Sequence, residues 1–346
     1  MNSIRLHDSG SSEALRFEKA PIPEISTKQI LVKVYATSVN HIDILKASGK
    51  LGELHFPWIP GHDFAGVVEN VGEKVKGFKV GDKVYGNCNG GSYAEYLVAD
   101  MNKTAKMPDN LSFVEASSVP HVAETAWQAV HTHGTLRAGQ KVLIHGAAGA
   151  VGAYAVQFAH QIGAFVYATA SGGDKDFVKS LGADVVIDYK KEDFTQIATE
   201  LKLVIDLVGG ETQRRSFPLL VKGGRLVSTV SPIPEDEAEK YFVMGTFMYI
   251  QQSAKELKVI TRMINDGQIK TDVAAVYPLK EAAKAWDSML GKDITASTKP
   301  HGKFVLEVVD TPDREDVYGK DTTSETPLGN AGITGQRLRS QWREGE

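Results

Sequence analysis

One cysteine, Cys88, in 346 residues excludes an intramolecular disulfide framework and any structural zinc site built from several cysteines of one chain. No apolar run reaches the roughly 18 residues that a membrane-crossing helix needs. The opening stretch MNSIRLHDSGSSEALRFEKA has no apolar core of the signal-peptide kind, so neither membrane insertion nor export is expected. Positive charge is not in excess either: the formal net charge is −4, which argues against nucleic acid as a partner held by bulk attraction. What remains is an ordinary globular composition, 42% hydrophobic with 33 glycines, in a chain long enough for two domains. A soluble, cytoplasmic protein is expected.

The chain is organised around Gly139 to Ser171, GQKVLIHGAAGAVGAYAVQFAHQIGAFVYATAS. Val142-Leu143-Ile144 is a short buried-strand run, followed by the small residues Gly146-Ala147-Ala148-Gly149-Ala150-Val151-Gly152 and an apolar-periodic helix to Ile162. Gly163 stops that helix, and Phe165 to Thr169 is a second strand, so the unit is βαβ with a right-handed crossover. A pyrophosphate lying on main-chain N–H groups at a helix start needs small residues there, because a side chain would hold it off. The three positions of the dinucleotide fingerprint G-x-G-x-x-G fall on Ala147, Gly149 and Gly152. Strand–turn–helix packing alone is the other reading of so many small residues; their place inside a βαβ unit favours cofactor binding, with Ala147, Ala148, Gly149, Val151 and Gly152 at the phosphates.

An NAD site usually carries Asp or Glu at the end of the second strand, to accept from the ribose 2′-hydroxyl. Here Thr169-Ala170-Ser171-Gly172-Gly173 stands at that place, followed by Asp174 and Lys175. The Ser171 hydroxyl and the Lys175 ammonium suit a 2′-phosphate, and the reading is NADPH. Otherwise Lys175 is a solvated charge opening the next helix.

Ahead of this unit, the β-rich run Ile30 to Asn40, the segment Pro57 to Val68 and the hairpin-like stretch Val71 to Tyr85 alternate β-branched pairs with glycines. That texture suits a small, curved, partly open barrel. Ser112 and Glu115 have the spacing of a capping box at a helix start. Beyond the βαβ unit, strands over Val185–Asp188, Leu203–Val208 and Arg225–Thr229 continue a doubly wound parallel sheet. Helices are expected over Ser253–Asp266 and Lys280–Leu290, and a last strand over Lys303–Val309. The division expected is 1–115, a barrel domain; 116–270, the dinucleotide domain; 271–310, a return to the barrel; and 311–346, a tail without apolar periodicity whose composition is that of a disordered segment.

The stretches PGHDFAGVV (Pro60 to Val68), VGDKVYG (Val80 to Gly86), GGSYAEY (Gly90 to Tyr96), GQKVLIHGAAGAVG (Gly139 to Gly152) with Gln157, and LGADVVIDY (Leu181 to Tyr189) occur in one order. Over about residues 2 to 309 the chain resembles the zinc-independent, zeta-crystallin-like quinone oxidoreductase branch of the medium-chain dehydrogenase/reductase superfamily. The resemblance implies an α/β protein: a GroES-like barrel domain made from both chain ends, a Rossmann domain between, and a cofactor cleft where they meet. It implies hydride transfer from NADPH to a quinone or an α,β-unsaturated carbonyl. A homodimer through the edges of the Rossmann sheets follows by analogy.

Matched position by position, Asn40 stands where the zinc alcohol dehydrogenases keep a cysteine ligand, Gly61-His62-Asp63 stands at their Gly-His-Glu, and His121 lies near a third ligand position. No thiolate remains there, so no metal is expected; His62, His121 and Asp63 are the alternative metal set. Without a Lewis acid, alcohol oxidation loses its usual support, while reduction of a conjugated system needs only a donor to a carbonyl oxygen, or water. The resemblance places Asn40 and Asp43 at the nicotinamide end, where turn capping is their alternative role. His62 or Tyr85 is the candidate donor to the carbonyl oxygen. It also places Thr125 near the nicotinamide, Lys175 and Tyr189 at the 2′-phosphate, Val208 and Gly209 at the nicotinamide ribose, and Lys303 within reach of the cofactor. The patch Phe242 to Tyr249 resembles a mobile lid or a dimer surface. Alternatives to the quinone or enone reductase are a biosynthetic enoyl reductase on a pathway-specific or carrier-bound substrate, and a protein that binds NADPH without turnover.

Overall fold

The computed structural model describes residues 1–292 and 300–309. Its strands are β1 (Asn2–Arg5), β2 (Arg16–Lys19), β3 (Gln29–Ser38), β4 (Asp63–Val71), β5 (Lys83–Asn87), β6 (Tyr96–Asp100), β7 (Thr104–Lys106), β8 (Lys141–Ile144), β9 (Phe165–Ala170), β10 (Val185–Asp188), β11 (Leu201–Asp206), β12 (Leu220–Ser228), β13 (Met244–Phe247), β14 (Val273–Pro278) and β15 (Lys303–Glu307). The helices are α1 (His41–Ala47), α2 (Phe113–Ser117), α3 (Pro120–Trp127), α4 (Ala150–Ile162), α5 (Lys175–Ser180), α6 (Gly210–Ser216), α7 (Glu235–Lys240), α8 (Ala254–Asn265) and α9 (Ala282–Met289). Two compact units divide the chain, Met1–Pro120 with Thr271–Glu346, and His121–Lys270. The tail read from residue 311 lies outside the described residues.

The first unit is built on β3. Its sequence QILVKVYATS alternates, so that Ile30, Val32 and Val34 are fully buried on one face, as the period of two in a strand requires. A seven-stranded sheet runs β14-β15-β3-β4-β5-β7, with β6 also on β3. The pairing of β3 with β4 shifts register between Leu31 and Val32 and again between Val34 and Ala36. Such irregularities bend a sheet and raise its twist, which gives the curved, partly open form that the glycine-punctuated sequence suggested. From the far end of the chain, β15 pairs antiparallel with β3 and sets Val305 opposite Ser38, so both chain segments make one sheet. A second apolar cluster joins Leu6, Val39 and Tyr93 to the fully buried Trp286 of α9.

The second unit is a six-stranded sheet ordered β10-β9-β8-β11-β12-β13 with every pair parallel. With β8 as first strand this is the 3-2-1-4-5-6 order of the dinucleotide-binding fold, whose direction reverses between β8 and β11. Leu143, Ile187, Val204, Phe217 and Leu226 form its core. One sequence expectation changes here. The strand read to Val208 ends at Asp206, whose carboxylate accepts the N–H groups of Val208 and Gly209 and so turns the chain out of the sheet. The patch Phe242 to Tyr249, read as a lid or dimer surface, contains the edge strand β13, paired with β12 from Arg225↔Met244 onward. The capping box at Ser112 is formed, with Glu115 N–H donating to the Ser112 hydroxyl and the Glu115 carboxylate accepting the Ser112 N–H.

Candidate functional site

In the second unit the turn after β8 is shaped by what its residues omit. A Cβ on Gly152 would lie 2.3 Å from the Gly146 carbonyl oxygen and 2.7 Å from Ala147 Cα, so α4 can approach the turn this closely only with glycine there. Ala147 is fully buried and donates its N–H to the Thr169 carbonyl at 3.1 Å, tying the turn to β9. Gly149 is the exposed N-cap of α4, with Ala148 and Val151 half-buried beside it. The first N–H groups of a helix have no partner within it, and here the N-cap Gly149 carries no side chain to cap them while Ala150 and Gly152 in the first turn are small. The turn therefore fits a phosphate held at a helix N-terminus.

Around the end of β9, the Ser171 hydroxyl donates to the Asp174 carboxylate at 2.6 Å, and the Lys175 ammonium pairs with Glu192 at 2.8 Å. Glu192 also accepts the Asp188 N–H at 2.8 Å. This Glu192 contact was not legible in the sequence, because 17 residues separate it from Lys175. The Lys175 and Glu192 side chains are about equally exposed, 40% and 39%, and a surface pair of this kind yields readily to a doubly charged phosphate. Tyr189 stands exposed just beyond β10.

At the end of β11 Asp206 is a hub that sequence reasoning missed. One carboxylate oxygen accepts Val208 N–H at 3.0 Å and Gly209 N–H at 2.7 Å; the other accepts Gln213 Nε2 at 3.0 Å and the Ser228 hydroxyl at 2.9 Å. Gly209 takes φ +81°, a conformation that favours glycine. The arrangement presents Val208 to solvent at the carboxyl edge of the sheet. Thr125, in α3, donates its hydroxyl to the His121 carbonyl at 2.6 Å, one turn back. His145, directly after β8, is fully buried between the Thr169 hydroxyl at 3.1 Å and the Ser216 hydroxyl at 2.9 Å. Burial pushes its pKa down to about 4, with Asp206 pulling weakly the other way.

In the first unit, by contrast, charged side chains are packed into the core. Asn40 caps α1, and its N–H donates to the Asp43 carboxylate at 2.8 Å, a capping box closed by the N3 residue. Its side-chain amide donates to Asp63 at 2.8 Å and accepts from the Lys303 ammonium, which also donates to the Val39 carbonyl at 2.6 Å. Lys303 lies 3.8 Å from Asp63, which accepts the Ser38 hydroxyl at 2.8 Å. Asp43 is bonded to His62 Nδ1 and accepts the Tyr93 hydroxyl at 3.2 Å, and the Tyr93 oxygen in turn accepts Trp286 Nε1–H at 3.1 Å. His62 is 1% exposed, and its Nε2 meets the Lys46 ammonium at 2.9 Å.

The electrostatics follow from burial and pairing. Burial alone would raise the Asp43 carboxyl, but His62, the Asn40 N–H and Lys303 together hold it below the usual carboxylate range. Burial pulls both the Lys303 and Lys46 ammonium groups below their usual values, against the attraction of nearby carboxylates. Burial and the adjacent Asp43 push the Tyr93 phenol well above its usual value. Cys88 is buried and its thiol is pushed up to about 12, so it is a core residue rather than a nucleophile. Lys303 does not reach outward: its ammonium is spent inside this cluster, where it holds Asn40.

These residues do not fit a metal. Asn40 offers an amide whose two ends are already taken, and His62 has one ring nitrogen on a carboxylate and the other on an ammonium. Among the described residues no group of three or more His, Cys, Asp and Glu side chains is placed to hold an ion. Nor is any described helix long and apolar enough to cross a membrane.

A curved sheet assembled from both chain segments in one unit, and a six-stranded sheet of dinucleotide-binding order in the other, define a two-unit dehydrogenase or reductase. Residues 26–109 match the alcohol dehydrogenase GroES-like domain, and residues 181–317 match the zinc-binding dehydrogenase family. The chain is 34% identical to the 2-methylene-furan-3-one reductase of Solanum lycopersicum over 278 residues, covering 76% of this chain and 69% of that protein. It is 31% identical to the chloroplastic NADPH-dependent alkenal/one oxidoreductase of Arabidopsis thaliana, covering 81% of this chain and 74% of that one. The solved quinone oxidoreductase of Coxiella burnetii superposes with a TM-score of 0.80 at 31% identity, over 89% of this chain and 99% of its own. The chain belongs to the medium-chain dehydrogenase/reductase superfamily, in the zeta-crystallin-like branch of quinone and alkenal/one oxidoreductases.

Proposed function

We propose that this protein transfers hydride from NADPH to a quinone or an α,β-unsaturated carbonyl compound, without a metal ion. The observation that carries the reading is the open turn from Gly146 to Gly152, built for a dinucleotide phosphate, in a chain of this branch. Ala148, Gly149, Val151 and Gly152 take the pyrophosphate, with Ala147 tying the turn to β9. Ser171, Lys175 and Tyr189 take the 2′-phosphate, Thr125 serves the nicotinamide, and Val208 and Gly209 serve the nicotinamide ribose. The names of the relatives support both the cofactor and the substrate class. When bound, NADPH supplies the hydride; the chain's own part is to orient it, exclude water and hold the carbonyl oxygen on which charge collects. Asn40, Asp43, His62 and Lys303 position the α1 segment. A cytoplasmic homodimer is part of the same reading: among the described residues β13 pairs on one side only, with β12, and Phe242, Met244 and Tyr249 around it are exposed.

The test is the loss of reduced-nicotinamide absorbance by chelator-treated protein with NADPH or NADH and a panel of a quinone, a short enone, an unactivated alkene and a ketone. Turnover of quinone or enone with NADPH, indifferent to chelation, is the expected result. Tight NADPH binding with no turnover of any acceptor would turn the assignment toward a pathway-specific substrate or a non-catalytic role.

A further inference from the structure

Both ring nitrogens of His62 are engaged inside the first unit, and the group held at its outer nitrogen is the ammonium of Lys46. An ammonium only donates, so Nε2 accepts from Lys46 and the proton on the ring sits at Nδ1, facing the Asp43 carboxylate. A carboxylate that orients a histidine so that its far nitrogen presents a cation is the arrangement proteins use to aim a metal ion; here the cation is the side chain of Lys46. The aim is fixed from the core outward. Trp286 Nε1–H holds Tyr93, Tyr93 and the Asn40 N–H hold Asp43, Asp43 holds His62, and His62 holds Lys46. Lys46 itself is half-buried in the last turn of α1, and among the described residues its other two N–H groups have no protein partner. The segment that follows it exposes large apolar side chains, Leu45 beside it and then Leu51 and Phe56, a surface suited to an apolar conjugated molecule.

We propose that Lys46 is the donor to the substrate carbonyl oxygen, held in place by the His62–Asp43 pair. This rests on the reductase reading above. As hydride from NADPH forms a C–H bond at the β-carbon of an enone, the C=C pair shifts toward the carbonyl and the C=O pair moves onto oxygen, giving an enolate. The free N–H groups of Lys46 donate to that oxygen, and water supplies the proton that completes the saturated ketone. The ammonium is already oriented and partly desolvated, so little reorganisation accompanies the charge as it develops.

Lys46→Met, Lys46→Gln and Lys46→Arg test the assignment, with NADPH affinity and melting temperature measured beside turnover. Lys46→Met is expected to lower kcat by about 100- to 1000-fold on enone and quinone, as loss of one oxyanion donor does, while NADPH affinity changes less than about threefold. Lys46→Gln and Lys46→Arg, which keep a donor, should recover at least about tenfold of that loss. A second readout needs no turnover. p-Nitrophenolate, a stable oxyanion, should bind the wild-type protein at least about tenfold more tightly than Lys46→Met, read from its absorbance band. Equal phenolate affinity, or Lys46→Met with kcat within about threefold of wild type, overturns the role of Lys46 alone. A wild-type protein that reduces neither enone nor quinone overturns the reductase reading, and the Lys46 role with it.

Discussion

In the turn from Gly146 to Gly152, proposed above for the cofactor's phosphates, close backbone packing is made by leaving side chains out, whereas at Asn40, Asp43, His62, Asp63 and Lys303 a rigid platform is made by packing charged and polar side chains into a core. The first region exposes backbone and lets a ligand supply the charge. The second brings its own charges, each matched to another before any ligand arrives. The two should therefore fail differently. The turn should be sensitive to added volume and indifferent to charge, and the cluster should be sensitive to losing one partner and tolerant of losing a matched pair.

The largest effect should come from breaking the cluster's match. Lys303→Met leaves Asp63 buried without its cation, and removal of one member of a buried pair typically costs about 3–5 kcal/mol. The double variant Lys303→Met/Asp63→Asn should regain a large part of that loss, because the orphaned charge is gone. Chemical denaturation of the single and double variants measures both. A double variant as unstable as the single one would show that Lys303 matters by packing rather than by charge.

Next comes a buried ionisable group in the second unit that belongs to neither mode. The folded-state pKa of His145 is about 4, below the 6.5 of the unfolded chain, so between those values the unfolded chain binds more protons. Its contribution is fully present above pH 6.5, declines as pH falls to about 4, and is level below that. The decline amounts to about 3 kcal/mol at most. Stability measured against pH should show this fall in the wild type, and His145→Gln, which keeps a donor toward Ser216 but does not titrate, should lack it. Parallel pH curves for the two proteins would remove His145 from the account.

Adding volume to the turn should cost somewhat less. The Cβ of Gly152→Ala meets main-chain atoms, which cannot rotate away, and overpacking of this kind costs about 1–3 kcal/mol. Calorimetry should find NADPH binding weakened by a similar amount, and the loss should be the same for NADH, since the pyrophosphate is common to both. A Gly152→Ala protein of wild-type stability and affinity would mean that the turn yields to an added methyl group and is not rigid.

How much of this was legible in the sequence follows the same division. Strand, turn and helix from Val142 to Ile162 are consecutive, so their periodicity and small residues show directly, as does the Ser112–Glu115 capping box. Asn40 and Asp43 also cap locally, three residues apart. The rest of the cluster joins side chains that the fold alone brings together: 16 residues separate Lys46 from His62 and 263 separate Lys303 from Asn40. No local pattern announces such pairs. Asp206 escaped notice for another reason: the apolar run Leu203 to Val208 reads as uninterrupted strand, and only the carboxylate's bonds to the next N–H groups show where the strand stops.

The smallest expected effect lies where the second unit does use a charge. Lys175 is paired with Glu192 on the surface, and a partly exposed pair contributes little to stability, so Lys175→Ala should leave the melting temperature unchanged. A 2′-phosphate offers Lys175 more negative charge than Glu192 does. Losing that contact should weaken NADPH by about tenfold to a hundredfold and NADH hardly at all. Glu192→Gln should act in the opposite direction, tightening NADPH by about twofold to threefold, because the ammonium is no longer shared and one negative charge near the phosphate is removed. Titration of both cofactors against the three proteins at fixed ionic strength decides it. Equal losses for NADPH and NADH in Lys175→Ala would mean that this lysine only opens α5, and that choice of the phosphorylated cofactor lies elsewhere on the β9 and β10 ends, with Ser171 and Tyr189 the residues to vary next.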